Sequence, residues 1–154
     1  LYLNWFNDIT IEHHPGPEMG ATWVVLPEEE IVFVGDAVMV NQPPFIGFAD
    51  LEKWVESLDE LLSKDFQNYR IFTSRCGEVT HDQVKDFRSM IKDMDKRIEK
   101  LGKKEVAPEE TEKLISKYLP KEIEDQTFEA LYTKRLKFGL KTYYQRVYGV
   151  DEQE

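Results

Sequence analysis

Along residues 9–36 the apolar positions follow a two-residue period that is broken by short clusters of Pro and Gly. Ile9-Thr10-Ile11-Glu12-His13 alternates, as a strand with one buried face does. His14-Pro15-Gly16-Pro17-Glu18-Met19-Gly20 predicts a rigid loop, because Pro and Gly do not continue a regular strand. Thr22 to Leu26 predicts a second strand, Pro27-Glu28-Glu29-Glu30 a turn, and Ile31-Val32-Phe33-Val34 a buried third strand. Gly35-Asp36 ends that strand, and a long loop from Ala37 to Phe48 follows, carrying Pro43-Pro44.

Beyond this loop the period changes to that of a helix. Asp50 is placed to cap a helix whose apolar stripe is Leu51, Trp54, Val55, Leu58, Leu61 and Leu62. Arg70 to Thr73 predicts a short strand, and Ser74 to Val79 a loop. Thr80 and Gln83 have the spacing of a capping box, opening a helix with Val84, Phe87, Ile91, Met94, Ile98 and Leu101 on its buried side and Gly102 as its stop. From Lys103 the chain is charged and helical. Pro108 suits the first turn of a short helix carrying Leu114, Ile115 and Tyr118, which Pro120 ends. A last helix is expected from about Asp125 to Tyr148, with Phe128, Leu131, Tyr132, Leu136, Leu140, Tyr143 and Val147 on one broad face. This order predicts an α/β unit over 1–102 and a helical extension over 103–154 that packs on it.

Composition narrows the possible functions. An aromatic content of 12% excludes a disordered chain. No apolar run approaches the roughly 20 residues that a membrane-spanning helix needs, so no membrane partner is expected. The net charge of −10 resides in residues 1–80, where 14 acidic side chains meet 4 basic ones, while the remainder balances at 16 each. Such a front half repels phosphate backbones, so no nucleic-acid partner is expected either. The tail mixes Lys134, Arg135, Lys137, Lys141 and Arg146 with aromatic residues, a pattern read here as an amphipathic helix packing on the domain. The single Cys76 has no internal disulfide partner, which makes a reducing, cytoplasmic location the default expectation.

The order of the loops carries a resemblance. His14-Pro15-Gly16-Pro17-Glu18-Met19-Gly20-Ala21, then two strands, then Phe33-Val34-Gly35-Asp36, is similar to the metallo-β-lactamase superfamily, where a Pro-Gly-His-Thr-x-Gly-Ser loop precedes a strand pair and a Gly-Asp. The likeness continues through Pro44-Phe45-Ile46-Gly47-Phe48-Ala49-Asp50 and closes at Ser74-Arg75-Cys76-Gly77-Glu78-Val79-Thr80, where members carry Pro-Gly-His-Gly-Pro-Val-Thr. It covers residues 9–100, and order and spacing together give it its specificity. The resemblance implies an α/β fold, the C-terminal half of an αββα sandwich with an α-helical tail.

Members of that superfamily bind one or two metal ions, usually zinc, which lower the pKa of a bound water and polarise the scissile bond. The resemblance places Asp36 at the bridging carboxylate. It places Pro17, which has no side-chain donor atom, at the His of the first loop, and Cys76 at the last His. Glu18 adjoins the lost His position, so Asp36, Cys76 and Glu18, with His14 as a further donor, are the candidate metal residues. Two of them have alternatives: Asp36 as a loop-capping carboxylate, and Cys76 as a reactive thiol or a small filler. His13 and His14 leave a strand on opposite sides, and His81 opens a helix. None of the three has the His-x-His-x-Asp-His spacing of the family's main cluster, which belongs to the N-terminal half. The expectation is that this chain alone assembles no metal centre and carries no catalytic residue or cofactor, zinc entering only if the missing half is supplied.

Three functions follow as expectations. The chain is part of a metallo-β-lactamase-fold hydrolase, of undetermined substrate, whose N-terminal half is supplied elsewhere. Alternatively it is a non-catalytic interaction or regulatory domain that forms a homodimer through the uncovered face of its sheet. The third is a redox or metal-sensing role through Cys76 and Asp36.

Overall fold

The computed structural model describes residues 2–4, 8–121, 123 and 126–149. Six strands form one sheet in sequence order: β1 (Tyr2–Asn4), β2 (Asp8–His13), β3 (Thr22–Leu26), β4 (Ile31–Gly35), β5 (Arg70–Thr73) and β6 (Gly77–Val79). The first four make an antiparallel meander, β4 and β5 pair in parallel, and β5 and β6 pair antiparallel. Helix α1 (Leu51–Leu61) lies in the crossover between the parallel strands, and α2 (His81–Gly102) follows β6. A 3-10 stretch, Pro108–Leu114, leads into α3 (Ile115–Tyr118), and α4 (Gln126–Tyr148) closes the described chain.

Register gives the sheet two different faces. Val25, Val32, Ile71 and Val79 are successive cross-strand partners from β3 to β6, and all four are buried. Helix α1 adds Leu51, Trp54, Leu58 and Leu61 to the same core, and α2 adds Val84, Phe87, Ile91, Met94 and Ile98. The period of two in the strands and of 3.6 in the helices thus converges on one apolar layer. The second row, Val24, Phe33, Phe72 and Glu78, lies on the other face. Phe33 is 45% exposed there, so β4 is buried on one side only, not on both as the apolar run Ile31–Val34 suggests. A continuous apolar run does not distinguish a strand buried twice from one whose second face stays open.

Helix starts follow their local signals. Asp50 accepts a hydrogen bond from the Lys53 amide (3.1 Å). Thr80 and Gln83 form the reciprocal capping box. Three expectations need correction. Residues 74–79 are not wholly loop, since Gly77–Val79 returns as β6 and Arg70 on β5 forks onto Glu78 (2.9 and 2.8 Å). Gly77 makes the turn with a φ of 68°, and three residues are too few to show an alternation. Gly102 is the last helical residue rather than a stop beyond it, and a Cβ there would run into the Tyr148 ring. The helix needs glycine at that position for close approach, while the left-handed turn falls to Glu105 at φ 51°.

The third correction concerns the last helix, whose expected first residue, Asp125, lies outside the described residues. Leu136, Gly139, Leu140, Tyr143 and Tyr144 are its buried residues, whereas Phe128, Leu131 and Val147 are exposed. Its buried stripe covers little more than two turns rather than the whole length; beyond it, Tyr148 lies against Gly102 and Arg146 reaches the Gly47 carbonyl. Tyr143 donates to Asp95 on α2 (3.2 Å) and Tyr144 to the Val106 carbonyl (2.7 Å). Asp93 on α2 receives Arg97 (2.9 Å), Lys117 (3.2 Å) and the Tyr118 hydroxyl (2.9 Å). The Arg97 bond, aided by Tyr118 and Lys117 and opposed by burial, holds that carboxyl down to about 2. Among the described residues no helix is long and apolar enough to cross a membrane.

Ile91 is fully buried midway along α2 in the core layer. An Ile91→Ala variant is expected to lose about 2–5 kcal/mol of stability through the cavity it leaves. Urea unfolding should show a lower midpoint at an unchanged slope.

Candidate functional site

The parallel strands β4 and β5 end at the same edge of the sheet, and their following loops meet there. In α/β sheets this is the crevice where ligands collect, outside the carboxyl ends of the strands. Gly35 turns the chain out of β4 with a φ of 59°, a conformation that favours glycine, and delivers Asp36 to the edge. Trp54 of α1 fixes the next residue by donating its indole N–H to the Ala37 carbonyl (3.0 Å). From the other side Ser74 donates its amide to the Gly35 carbonyl (3.0 Å).

The two loops are joined by an ion pair. Arg75 donates Nε to Asp36 Oδ1 and Nη2 to Oδ2, each at 3.0 Å, so both carboxylate oxygens are engaged by one planar fork. The Ser74 hydroxyl also donates to Oδ1. Burial pushes the Asp36 carboxyl up, but the hydrogen bonds from Arg75 and Ser74 and the charges of Arg75 and Arg135 outweigh it and hold the group below its ordinary value.

Beside this pair is a cavity of about 770 Å³, with Pro17, Glu18, Asp36, Arg75 and Arg135 among its polar and loop lining and Phe45, Ile46, Phe48 and Phe138 on its apolar side. Arg135 reaches it from α4 and donates Nη1 to Gln42 Oε1 (3.2 Å) and to the Pro43 carbonyl (3.1 Å). Its Cζ lies 3.9 Å from the Phe45 ring centre, and the Arg75 Cζ lies 5.0 Å from the same ring. Burial and the neighbouring Arg75 charge both lower the pKa of Arg135.

The sequence candidates are therefore only partly brought together. Asp36 and Glu18 share the cavity. Cys76 does not line it; its Sγ accepts from the Val40 amide (3.3 Å) and lies 3.6 Å from Gln42 Nε2. His13 contacts the Met19 carbonyl (2.6 Å) and His81 the Phe66 carbonyl (3.0 Å). His14 is stacked on Trp23 (3.7 Å between ring centres) between Glu12 (3.2 Å) and Glu60 (3.5 Å). None of the three histidines lines the cavity.

The residues present do not fit a metal ion. Both Asp36 oxygens face a guanidinium, Pro17 has no donor atom, and the Cys76 sulfur is turned to the Val40 loop. Among the described residues no three His, Cys, Asp or Glu side chains gather where they could hold one. Arg135 is the residue that reading the sequence missed. It occurs within a basic helical run, and nothing local marks it as a partner of Pro43, 92 positions earlier.

Neither a family model nor a curated protein sequence matches the chain. Solved structures do. A metallo-β-lactamase family protein from Thermus thermophilus superposes with a TM-score of 0.64 at 16% identity, over 94% of this chain and 45% of its own. A stereoselective inverting sec-alkylsulfatase from a Pseudomonas species superposes with a TM-score of 0.68 at 15% identity, over 99% of this chain and 26% of its own. The chain thus has the fold of part of a metallo-β-lactamase-type α/β sandwich and spans less than half the length of these two proteins.

Because its pKa is lowered by folding, ionised Asp36 contributes stability above its unfolded value of about 4, and loses it as the pH falls through the lower folded value. Asp36→Asn is expected to be less stable than the natural chain at pH 7, with the difference shrinking below about pH 4. Chemical denaturation of both proteins across that range checks it; a difference independent of pH would contradict the role given to the ion pair.

Proposed function

We propose that this chain is a non-catalytic domain on a metallo-β-lactamase-type scaffold, with an internal cation in place of the metal. The supporting observation is the bidentate Asp36–Arg75 pair. A carboxylate that bridges metal ions does so through lone pairs on one or both of its oxygens, and here both oxygens are directed at Arg75. The guanidinium supplies positive charge at the edge but no vacant coordination position and no bound water to activate, which is what the family's hydrolysis draws from its metal. The Pro17 substitution points the same way, since it removes a donor on the facing loop.

Metal analysis tests this reading. After exposure to excess zinc and desalting, the purified protein is expected to retain far less than one equivalent, and Asp36→Ala to behave alike. Stoichiometric uptake that Asp36→Ala abolishes would end the non-catalytic reading and revive a hydrolase with an altered site.

The open sheet face supports a second reading, that the domain acts through association. Phe33 and Phe72 stack there (5.4 Å between ring centres), with Val24, Leu26 and Ile31 half-buried around them. A face of this kind is covered by another apolar layer in sheet packings. The occupant we infer is a second copy of the chain, since an isologous contact matches the patch to itself. Sedimentation should show a dimer that Phe33→Lys converts to a monomer with unchanged far-UV circular dichroism. A well-behaved monomer of the natural chain would count against it and favour a complementary layer elsewhere in a longer polypeptide.

A further inference from the structure

We infer that the cavity beside the Asp36–Arg75 pair is a binding site for a small organic monoanion with an apolar body, whose carboxylate or sulfonate head is received by Arg135. The inference rests on the reading that a guanidinium, not a metal, holds Asp36, since a metal would recruit that carboxylate and change the charge of the site.

Charge is the first argument. Asp36 neutralises Arg75 through two hydrogen bonds, which leaves Arg135 as the cation of the cavity without a carboxylate within 4.0 Å among the described residues. Its pKa is lowered by burial and by Arg75, the condition of a cation held partly out of water beside another. An anion arriving at that position relieves both costs. Glu18 and Asp36 on the same lining set an upper limit to the charge accepted, so one negative charge suits the site better than two.

Preorganisation is the second. Nη1 of Arg135 is committed to Gln42 and Pro43, and the guanidinium is held 3.9 Å from the Phe45 ring centre. A guanidinium has five N–H donors in a rigid plane, so fixing one nitrogen and one face aims the remaining donors. Little rotamer entropy is then lost when an anion binds.

Shape is the third. At about 770 Å³ the cavity lies in the range of small-molecule sites, roughly 300–1,000 Å³. Its rim carries Phe48 and Phe138, 60% and 58% exposed, with ring centres 6.4 Å apart. Large aromatics left in water at the mouth of a cavity are an apolar surface for a ligand body to cover. Gly47 and Gly139 bring the loop and α4 close together below them: a Cβ on Gly139 would meet Ile46 at 3.0 Å.

Titration calorimetry with octanoate, octanesulfonate and octylamine tests the inference on the full chain, with EDTA present. Both anions are expected to saturate one site and the amine not to bind. Arg135→Gln should weaken octanoate by about tenfold or more, the scale of one charge-assisted hydrogen bond. Phe138→Ala, at a position 58% exposed, should weaken it as well at unchanged far-UV circular dichroism, while Lys134→Gln leaves it unchanged. Equal binding of the amine, an Arg135→Gln affinity like that of the natural chain, or no saturable binding would overturn the proposal. Octanoate binding seen only after zinc is added would overturn the metal-free reading beneath it; absence of octanoate binding together with absence of zinc uptake would remove the anion site alone.

Discussion

Parallel pairing of β4 with β5 is the constraint from which the rest of the architecture follows. Two neighbouring parallel strands need a crossover of a dozen or more residues, and the chain supplies it through the 36–50 loop and α1. The crossover lays α1 on one face of the sheet, where Trp54 and Leu58 join Val32 and Ile71 in the core. Parallel direction also brings the ends of both strands to one edge. Asp36 and Arg75, separated by 39 positions, meet for that reason and not through any local preference.

At that edge, electrostatics and scaffold have parted company. The fold presents an acidic residue at the end of β4, and the loop after β5 answers it with a guanidinium. The pair is partly exposed, with 43% of the Arg75 side chain and 26% of the Asp36 side chain accessible, so its contribution to stability is modest. Its geometric effect is larger: it closes the two loops over the strand ends and fixes one wall of the cavity. Phe45 then receives both Arg75 and Arg135, which couples the 36–50 loop to α4. Arg146 reinforces that coupling by donating to the Gly47 and Ala49 carbonyls.

The two apolar surfaces that remain differ in kind. On the sheet, Phe33 and Phe72 belong to a face that stays open among the described residues, the kind that sheet packing covers with another layer. At the cavity mouth, Phe48 and Phe138 border a concavity and stand beside a cation. One suits a macromolecular partner and the other a small amphiphilic ligand, and the difference follows from shape, since both surfaces are aromatic.

Much of the fold could be read directly from the residues. The Asp50 cap and the Thr80–Gln83 capping box are set by contacts within a few positions, the strands Thr22–Leu26 and Arg70–Thr73 were legible from their β-branched and aromatic residues, and the helical stripe of α2 was legible because its apolar spacing is uninterrupted over five turns. The order of Gly35-Asp36 and Ser74-Arg75-Cys76 indicated the type of sandwich. What the sequence could not express was which of these residues face one another. Cys76 and Asp36 looked like two ligands of one centre, yet the Gly77 turn sends the sulfur toward Val40 and the preceding Arg75 toward the carboxylate. Arg135 was one basic residue among several in an amphipathic helix, and its partners Gln42 and Pro43 come within reach only where α4 packs against the 36–50 loop. Local periodicity fixes which side of an element is buried, because it depends only on the repeat of the backbone. The composition of a site depends on contacts between distant segments, and those exist only after the chain has closed on its core.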